Sequence, residues 1–443
     1  MAALDQIKLI VVVIMENRSF DHVLGYLSLP QYGGRIDIDG LINPDTDPRF
    51  ANEYDHQIYR PFPMADGPLP HDLPHSRREV AVQLAVSAGI PTMSGFVQAY
   101  VDMSHSVVEQ PPPLGYLTPD SVFMSDFLAR NYLVCDRWFA PLPTDTHPNR
   151  VMAFTGSATV DETKSRIIPH RNLVFDWLTG RGVRWRAYHC GFSFFPLFGA
   201  FDHILGGNFH SIRQLASDID GDADDKVPQV IFIEPEYGDS PVHFGFVPND
   251  NHPPVPIGPG EHFLREVYAA LTSSPRWAET MLIVMHDEHG GFFDHVAPLP
   301  VKTRVPQSAL YREPFVTTGV RVPALVASPF VPSGTCYHGN LDHTSLLQLL
   351  AEKFAGDRRA YSDDVNRRID QGIENLSSVL APPQRRDIPT APTTAVSVTH
   401  VLRATQPAIT ENQKALLLAG KQLLAHDRAG AIRQFPELLH LQS

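Results

Sequence analysis

Short apolar runs recur along the chain at Leu9–Met15, Val183–Tyr188, Val230–Ile233, Met281–Met285 and Val322–Ser328, rich in β-branched residues and too short for helices. Each reads as a buried strand. Between some of them the apolar positions fall at helical spacing instead. Val122–Ala129, Asn172–Thr179 with Gly180 as its C′ residue, and Glu261–Leu271, where Phe263, Leu264, Val267 and Leu271 share one face, are the predicted helices. Strand and helix in alternation predict an α/β fold with a largely parallel central sheet flanked by helices. Two polar, Pro- and Gly-rich stretches, Tyr32–Pro70 and Phe244–Gly260, are long for simple connections and are expected to overhang a site. After about Asp364 the chain turns polar. A linker is expected near Pro382–Thr394, then a helical tail from Glu411 to Arg428. No internal repeat is visible.

The first strand runs directly into Glu16-Asn17-Arg18-Ser19-Phe20-Asp21-His22, and the Met281–Met285 strand into His286-Asp287-Glu288-His289-Gly290-Gly291-Phe292-Phe293-Asp294-His295. Ligands of open α/β sheets sit beyond the carboxyl ends of the strands. If the two strands are parallel neighbours, Glu16, Asn17, Asp287 and Glu288 share one rim. Three carboxylates crowded there repel one another unless a cation lies between them, which predicts a metal site. Taken singly, each of these residues also fits an ordinary solvated strand end or turn. His286 to His289 lacks the i, i+4 helical spacing of a zinc-protease motif, and Gly290-Gly291 lacks the pattern of a nucleotide phosphate loop. The glycine pair is expected to make a tight turn that aims Asp294 and His295 back toward the rim.

A third element is Pro143-Thr144-Asp145-Thr146-His147-Pro148-Asn149-Arg150. Thr146 is predicted as the N-cap of a short helix with Pro148 in its first turn. The same hydroxyl at a helix N-terminus is also placed to act as a nucleophile toward phosphorus, with the helix dipole and a bound metal stabilising the alkoxide. Twenty-one histidines are many for such a chain. Singly, His75, His189, His252 and His343 read as hydrogen-bonded structural groups; together they would supply oxyanion donors and a leaving-group acid.

Composition narrows the alternatives. With 36 Lys+Arg against 49 Asp+Glu and a formal net charge of −13, no basic footprint for nucleic acid exists. Forty Pro and 29 Gly, about a sixth of the chain, stay below the level that signals disorder. Cys135, Cys190 and Cys336 are too few and too scattered for a disulfide framework or a thiolate metal site. The first apolar run falls short of the ~20 residues that span a bilayer, and no basic region or cleavage site marks a secretory signal. As it stands, the chain is expected to be cytoplasmic, or a mature form.

The segments VVVIMENRSFDHVLGYL, SGFV, CDRWFAPLPTDTHPNR, FIEPEYGDS, NDNHPP, IVMHDEHGGFFDHVAPLP, RVPALVASPFV and LDHTSLLQLL resemble the phosphoesterase family that includes bacterial phosphatidylcholine-type phospholipases C, plant non-specific phospholipases C and respiratory-burst-inhibiting acid phosphatases. The resemblance extends from the first strand to about residue 354. It implies an alkaline phosphatase-like sandwich, with a catalytic domain over residues 1–380 and a linker and helical tail over 381–443. It implies one divalent metal ion (Ca, Mg, Mn, Zn or Fe) held by Glu16, Asn17, Asp287 and Glu288, with Thr146 as the nucleophile that also contacts it. His75, His189 and His252 would surround the phosphoryl group or leaving group, and Glu234 and Asp294 would support the fold around them.

The implied activity is phospholipase C-type headgroup cleavage through a phospho-threonine, with a broad-specificity acid phosphatase as the alternative and a non-catalytic metal-stabilised binding protein as the competing class. The expected partners are phospholipid or other phosphate esters and, peripherally, a membrane surface. Phe192–Phe198 would either line a lipid-facing mouth or fill a core. The sequence departs from the family in three ways: it shows no signal segment and no extra C-terminal β-domain, and it has His286 where Tyr is commoner. Oligomeric state has no signature here.

Overall fold

The structure is a computed structural model that describes residues 3–221, 223–240, 247–382, 387–393 and 409–441. Its centre is an eight-stranded sheet. In chain order the strands are β1 (Leu9–Met15), β2 (Leu133–Cys135), β3 (Trp185–His189), β4 (Phe209–Ser211), β5 (Val230–Glu234), β6 (Thr280–His286), β7 (Ala324–Ala327) and β8 (Thr335–Tyr337). Across the sheet they run β8-β2-β7-β6-β1-β5-β3-β4. Every pairing is parallel except those of β7, which is antiparallel to both neighbours. Every residue of β1, β5 and β6 is buried. Because successive side chains point to opposite faces, both faces of the sheet are covered, which is why these strands read as continuous apolar runs.

The predicted elements form, with shifted bounds. The helix predicted from Val122 is Phe123–Asn131, and the one from Glu261 is Gly258–Thr272. The helix predicted from Asn172 begins at Val174, since Asn172 has φ 55° and stands outside it. Gly180 closes that helix with right-handed geometry (φ −61°), so it is not the expected left-handed C′ residue; Gly182 (φ 67°) supplies that turn. The predicted Val322–Ser328 strand pairs only over Ala324–Ala327. Strands β2, β4 and β8 have three residues each, too few to show a period. The Tyr32–Pro70 stretch carries a small antiparallel pair, Asn52–Tyr54 with Gln57–Tyr59. Of Phe244–Gly260, residues 244–246 lie outside the described residues, as do 383–386 and 394 of the expected linker.

The tail forms two helices, Glu411–His426 and Arg428–Gln434, broken at Asp427, which caps the second by accepting the Gly430 N–H. Its Ala415, Leu416, Ala419, Leu423, Ala431, Phe435 and Leu438 belong to the same hydrophobic core as the sheet. Phe192, Phe194, Phe195 and Phe198 are likewise buried, so this aromatic run fills core and does not line a mouth. Among the described residues no helix is long and apolar enough to cross a membrane.

Candidate active site

Strands β1 and β6 are adjacent, parallel and in register, Met15 opposite His286. The residues that follow therefore leave the sheet side by side. Asn17 turns away with φ 51°, and its N–H donates to Asp287 Oδ1 at 3.1 Å. The same oxygen accepts the Glu288 N–H at 2.7 Å. Glu288 Oε2 in turn accepts the Gly290 N–H at 2.7 Å. The glycine pair takes the expected left-handed turn, with φ 59° and 77°. It does not return Asp294 and His295 to this rim: they pair with Arg321 and Asp21, and His295 Nε2 lies 3.0 Å from Asp39. That cluster is held by a buried arginine whose five donors no periodicity announces.

The helix of the third element runs from Thr146 to Thr155. Asp145, with extended φ −82° and ψ −169°, is its N-cap, so Thr146 is the first helical residue and not the cap, as the spacing had suggested. Pro148 lies in the first turn as expected. Four residues after Thr146, on the same face, Arg150 is fully buried between two of the acids. Its Nη2 is 2.7 Å from Glu16 Oε1 and its Nε 3.0 Å from Asp287 Oδ2. Arg150 Nη1 donates to the Tyr237 hydroxyl at 2.9 Å, which donates to Glu234 at 3.1 Å. Glu234 also takes the Ser193 hydroxyl and the Phe194 N–H, so it reaches the centre only through Tyr237 and Arg150.

Two of the predicted histidines face this centre. His75 Nδ1 is fixed by the Leu73 carbonyl at 2.6 Å, which turns Nε2 toward Asn17 Nδ2 at 3.4 Å and Glu288 Oε1 at 3.8 Å. His252 lies with Nδ1 3.4 Å from Glu16 Oε2 and Nε2 3.2 Å from Asp72 Oδ2. The third, His189, goes elsewhere. Its Nδ1 meets the Gly191 carbonyl at 2.8 Å, its Nε2 meets Gln434 Nε2 at 3.0 Å, and its ring packs on Phe435. Burial lowers it to about 4. His286 is also buried, against Asn251 Nδ2 at 3.2 Å, and His343 supports the Asp287 carbonyl at 2.7 Å.

The electrostatics are those of anions and cations crowded out of water. Burial pushes Glu288 up to about 7 against the pull of His75. Burial and then Glu16 raise Asp287 well above the carboxylate range in spite of Arg150. For Glu16, burial acts upward, but Arg150 and His252 outweigh it and hold the group low. Burial acts downward on His75, yet Glu288 and Asp72 raise it to about 9. Asp72 and Glu16 do the same for His252, which stands well above its ordinary value. Burial pushes Asp145 up to about 7 against the pull of the Thr163 N–H and of His75.

Part of the predicted donor set is open to a divalent cation, whereas both Asp287 oxygens are taken by backbone N–H groups and Arg150. Asn17 Oδ1 and Glu288 Oε1 are buried and accept no hydrogen bond. Buried polar atoms without partners are rare unless something outside the chain completes them. Hard oxygen donors suit Ca²⁺, Mg²⁺ or Mn²⁺, and neighbouring imidazoles extend the range to Zn²⁺ or Fe. Arg150, Tyr237, Asp72 and Asp145 had no role in the sequence reading. Only Arg150 left a signal there, one turn after Thr146.

Residues 7–355 match the model of the Phosphoesterase family. Non-specific phospholipase C1 of Arabidopsis thaliana is 34% identical over 348 residues, 75% of this chain and 62% of that protein. The chain thus spans somewhat under two thirds of this plant relative. Phospholipase C B of Mycobacterium tuberculosis is 27% identical, over 79% of this chain and 74% of its own. A solved protein of the alkaline phosphatase superfamily from Vibrio parahaemolyticus overlays 69% of this chain and 82% of its own with a TM-score of 0.36 and 13% identity, a likeness too loose to bear on the chemistry.

Proposed function

Since the chain belongs to the Phosphoesterase family, we propose that it hydrolyses phosphate esters, with phospholipase C-type cleavage of phospholipid headgroups as its reaction and Thr146 as its nucleophile. The observation that carries this reading is the meeting of two strand ends and one helix start: Glu16-Asn17 and Asp287-Glu288 side by side, with Arg150 of the Thr146 helix between Glu16 and Asp287.

In this reading Glu16, Asn17, Asp287 and Glu288 hold one divalent metal ion. When bound, the ion supplies Lewis-acid stabilisation of negative charge on the hydroxyl and phosphoryl oxygens. The protein's own residues do the rest. Thr146, at a helix N-terminus where the dipole favours an anion, attacks phosphorus in line as its hydroxyl proton passes to solvent water, and the alcohol of the ester leaves. Its phospho-ester is then cleaved by water, which returns the threonine hydroxyl and releases the phosphorylated headgroup. His75 and His252, whose ring nitrogens face Glu288 and Glu16, meet the phosphoryl oxygens and donate a proton to the leaving alkoxide. His189 has both ring nitrogens engaged, so it is assigned no proton transfer.

Thr146→Ala is the deciding variant. Turnover of phosphatidylcholine, sphingomyelin and p-nitrophenyl phosphate is expected to fall on the order of a thousandfold or more, and phosphothreonine is expected only in the unmodified enzyme after rapid quench. Wild-type turnover by the variant would overturn the mechanism. Release of diacylglycerol and phosphocholine from phosphatidylcholine is the expected product pattern; turnover of the monoester alone would reassign the enzyme as a phosphomonoesterase.

A further inference from the structure

The C-terminal tail lies beyond the family-matched residues 7–355, yet it reaches two buried histidines, His147 beside Thr146 and His189 away from the centre. Thr410 caps the Glu411–His426 helix by accepting the Gln413 N–H at 2.9 Å. Asn412, two residues on and buried, accepts from His147 Nε2 at 2.9 Å through Oδ1 and donates from Nδ2 to Asp239 Oδ2 at 3.2 Å. Glu411 Oε2 accepts the Ser165 N–H at 3.0 Å. The loop that contains Ser165 in turn grips the start of the Thr146 helix: Thr163 Oγ1 accepts the His147 N–H at 3.1 Å, and Asp145 Oδ1 accepts the Thr163 N–H at 2.8 Å. At the far end of the tail, Gln434 Nε2 lies 3.0 Å from both His189 Nε2 and the Phe209 carbonyl.

In both places a side-chain amide meets an imidazole. An amide offers a donor and an acceptor and does not titrate, so it fixes a histidine tautomer over a wide pH range. Asn412 Oδ1 requires the proton of His147 on Nε2; the Gln434 amide, already donating to Phe209, requires a lone pair on His189 Nε2. His147 directly follows Thr146, and its backbone and its ring are both tied. We infer that the tail is a clasp that sets the first turn of the Thr146 helix, with Asn412 as a positioning residue for that hydroxyl. The clasp itself is independent of the chemistry; its consequence for turnover rests on the function proposed above.

The full chain, labelled with ¹⁵N-histidine, tests the clasp directly. Asn412→Ala is expected to abolish the protected His147 Nε2–H signal, and the double variant N412D/D239N, which exchanges carboxylate and amide while keeping both bonds, is expected to restore it. With p-nitrophenyl phosphate, N412A is expected to lower kcat about tenfold or more with KM changed less than about twofold, and the exchange variant to recover most of that loss. An unchanged signal in N412A overturns the clasp. A changed signal with unchanged kcat, or a loss of kcat that the exchange does not relieve, overturns the positioning role. Failure of the Thr146 reading shows separately, as wild-type turnover by T146A with the histidine signals intact.

Discussion

Arg150 and Arg321 are the two residues on which the buried charge turns. Each is an arginine without solvent exposure that meets more than one carboxylate: Glu16 and Asp287 for the first, Asp21 and Asp294 for the second. The planar five-donor fork suits such bridging where a lysine would not. Beside Arg321, His295 gives a stability prediction. Burial alone would lower it, but the Asp21 carboxylate, helped by Asp39, outweighs burial and raises it to about 9. A histidine raised in the folded state stabilises fully below its unfolded value near 6.5 and loses that contribution as pH climbs through about 9. The amount is about 3 kcal/mol. Urea unfolding at pH 6 and pH 9.5 is expected to show this decline, and His295→Gln to flatten it; an equal decline in the variant would remove His295 as its source.

At the scale of the element, the turn after β6 and the bend after β1 are packed against each other backbone to backbone. A Cβ added at Gly290 would lie 2.2 Å from the Asn17 carbonyl oxygen, at φ +59°. Gly182 has a similar φ of +67° and nothing within 4 Å. Ala at Gly182 therefore costs only the left-handed backbone, about 1 kcal/mol. Ala at Gly290 adds displacement of Asn17, and the expected loss is about 3 kcal/mol or more, together with weakened metal uptake. Denaturant melts of the two variants are the comparison; equal losses would show that the Asn17 contact is not tight.

For the molecule as a whole, the site is a cost that the surrounding core carries. Glu16, Asp287 and Glu288 are all fully buried, and Arg150 pairs only with the first two, so three negative charges against one guanidinium oppose folding unless protons or a further cation intervene. A metal that binds only the folded chain adds stability by mass action, about 2.7 kcal/mol at a concentration a hundredfold above Kd. Calorimetry of the full chain is expected to show a fall in Tm of a few degrees on chelation and its recovery on adding back Mn²⁺, Zn²⁺ or Ca²⁺. An unchanged Tm would sink the metal assignment while leaving Thr146 to be judged by its own variant.

What the sequence determined was local. Short apolar runs rich in β-branched residues favour buried strands, and an acid that follows such a strand in a parallel sheet sits at the carboxyl rim, so Glu16, Asn17, Asp287 and Glu288 were legible as a group. A helix start at Thr146 was legible to within one residue, with Asp145 taking the cap because its backbone is extended there. What only the tertiary structure decided were partnerships between distant segments. Arg150 joins the acids across 134 and 137 residues of chain, Asp294 and His295 leave the rim for Arg321, and His189 is taken by a tail residue 245 positions away. A buried charge or imidazole takes whichever partner satisfies it in the folded state, and nothing in its own neighbourhood along the chain names that partner.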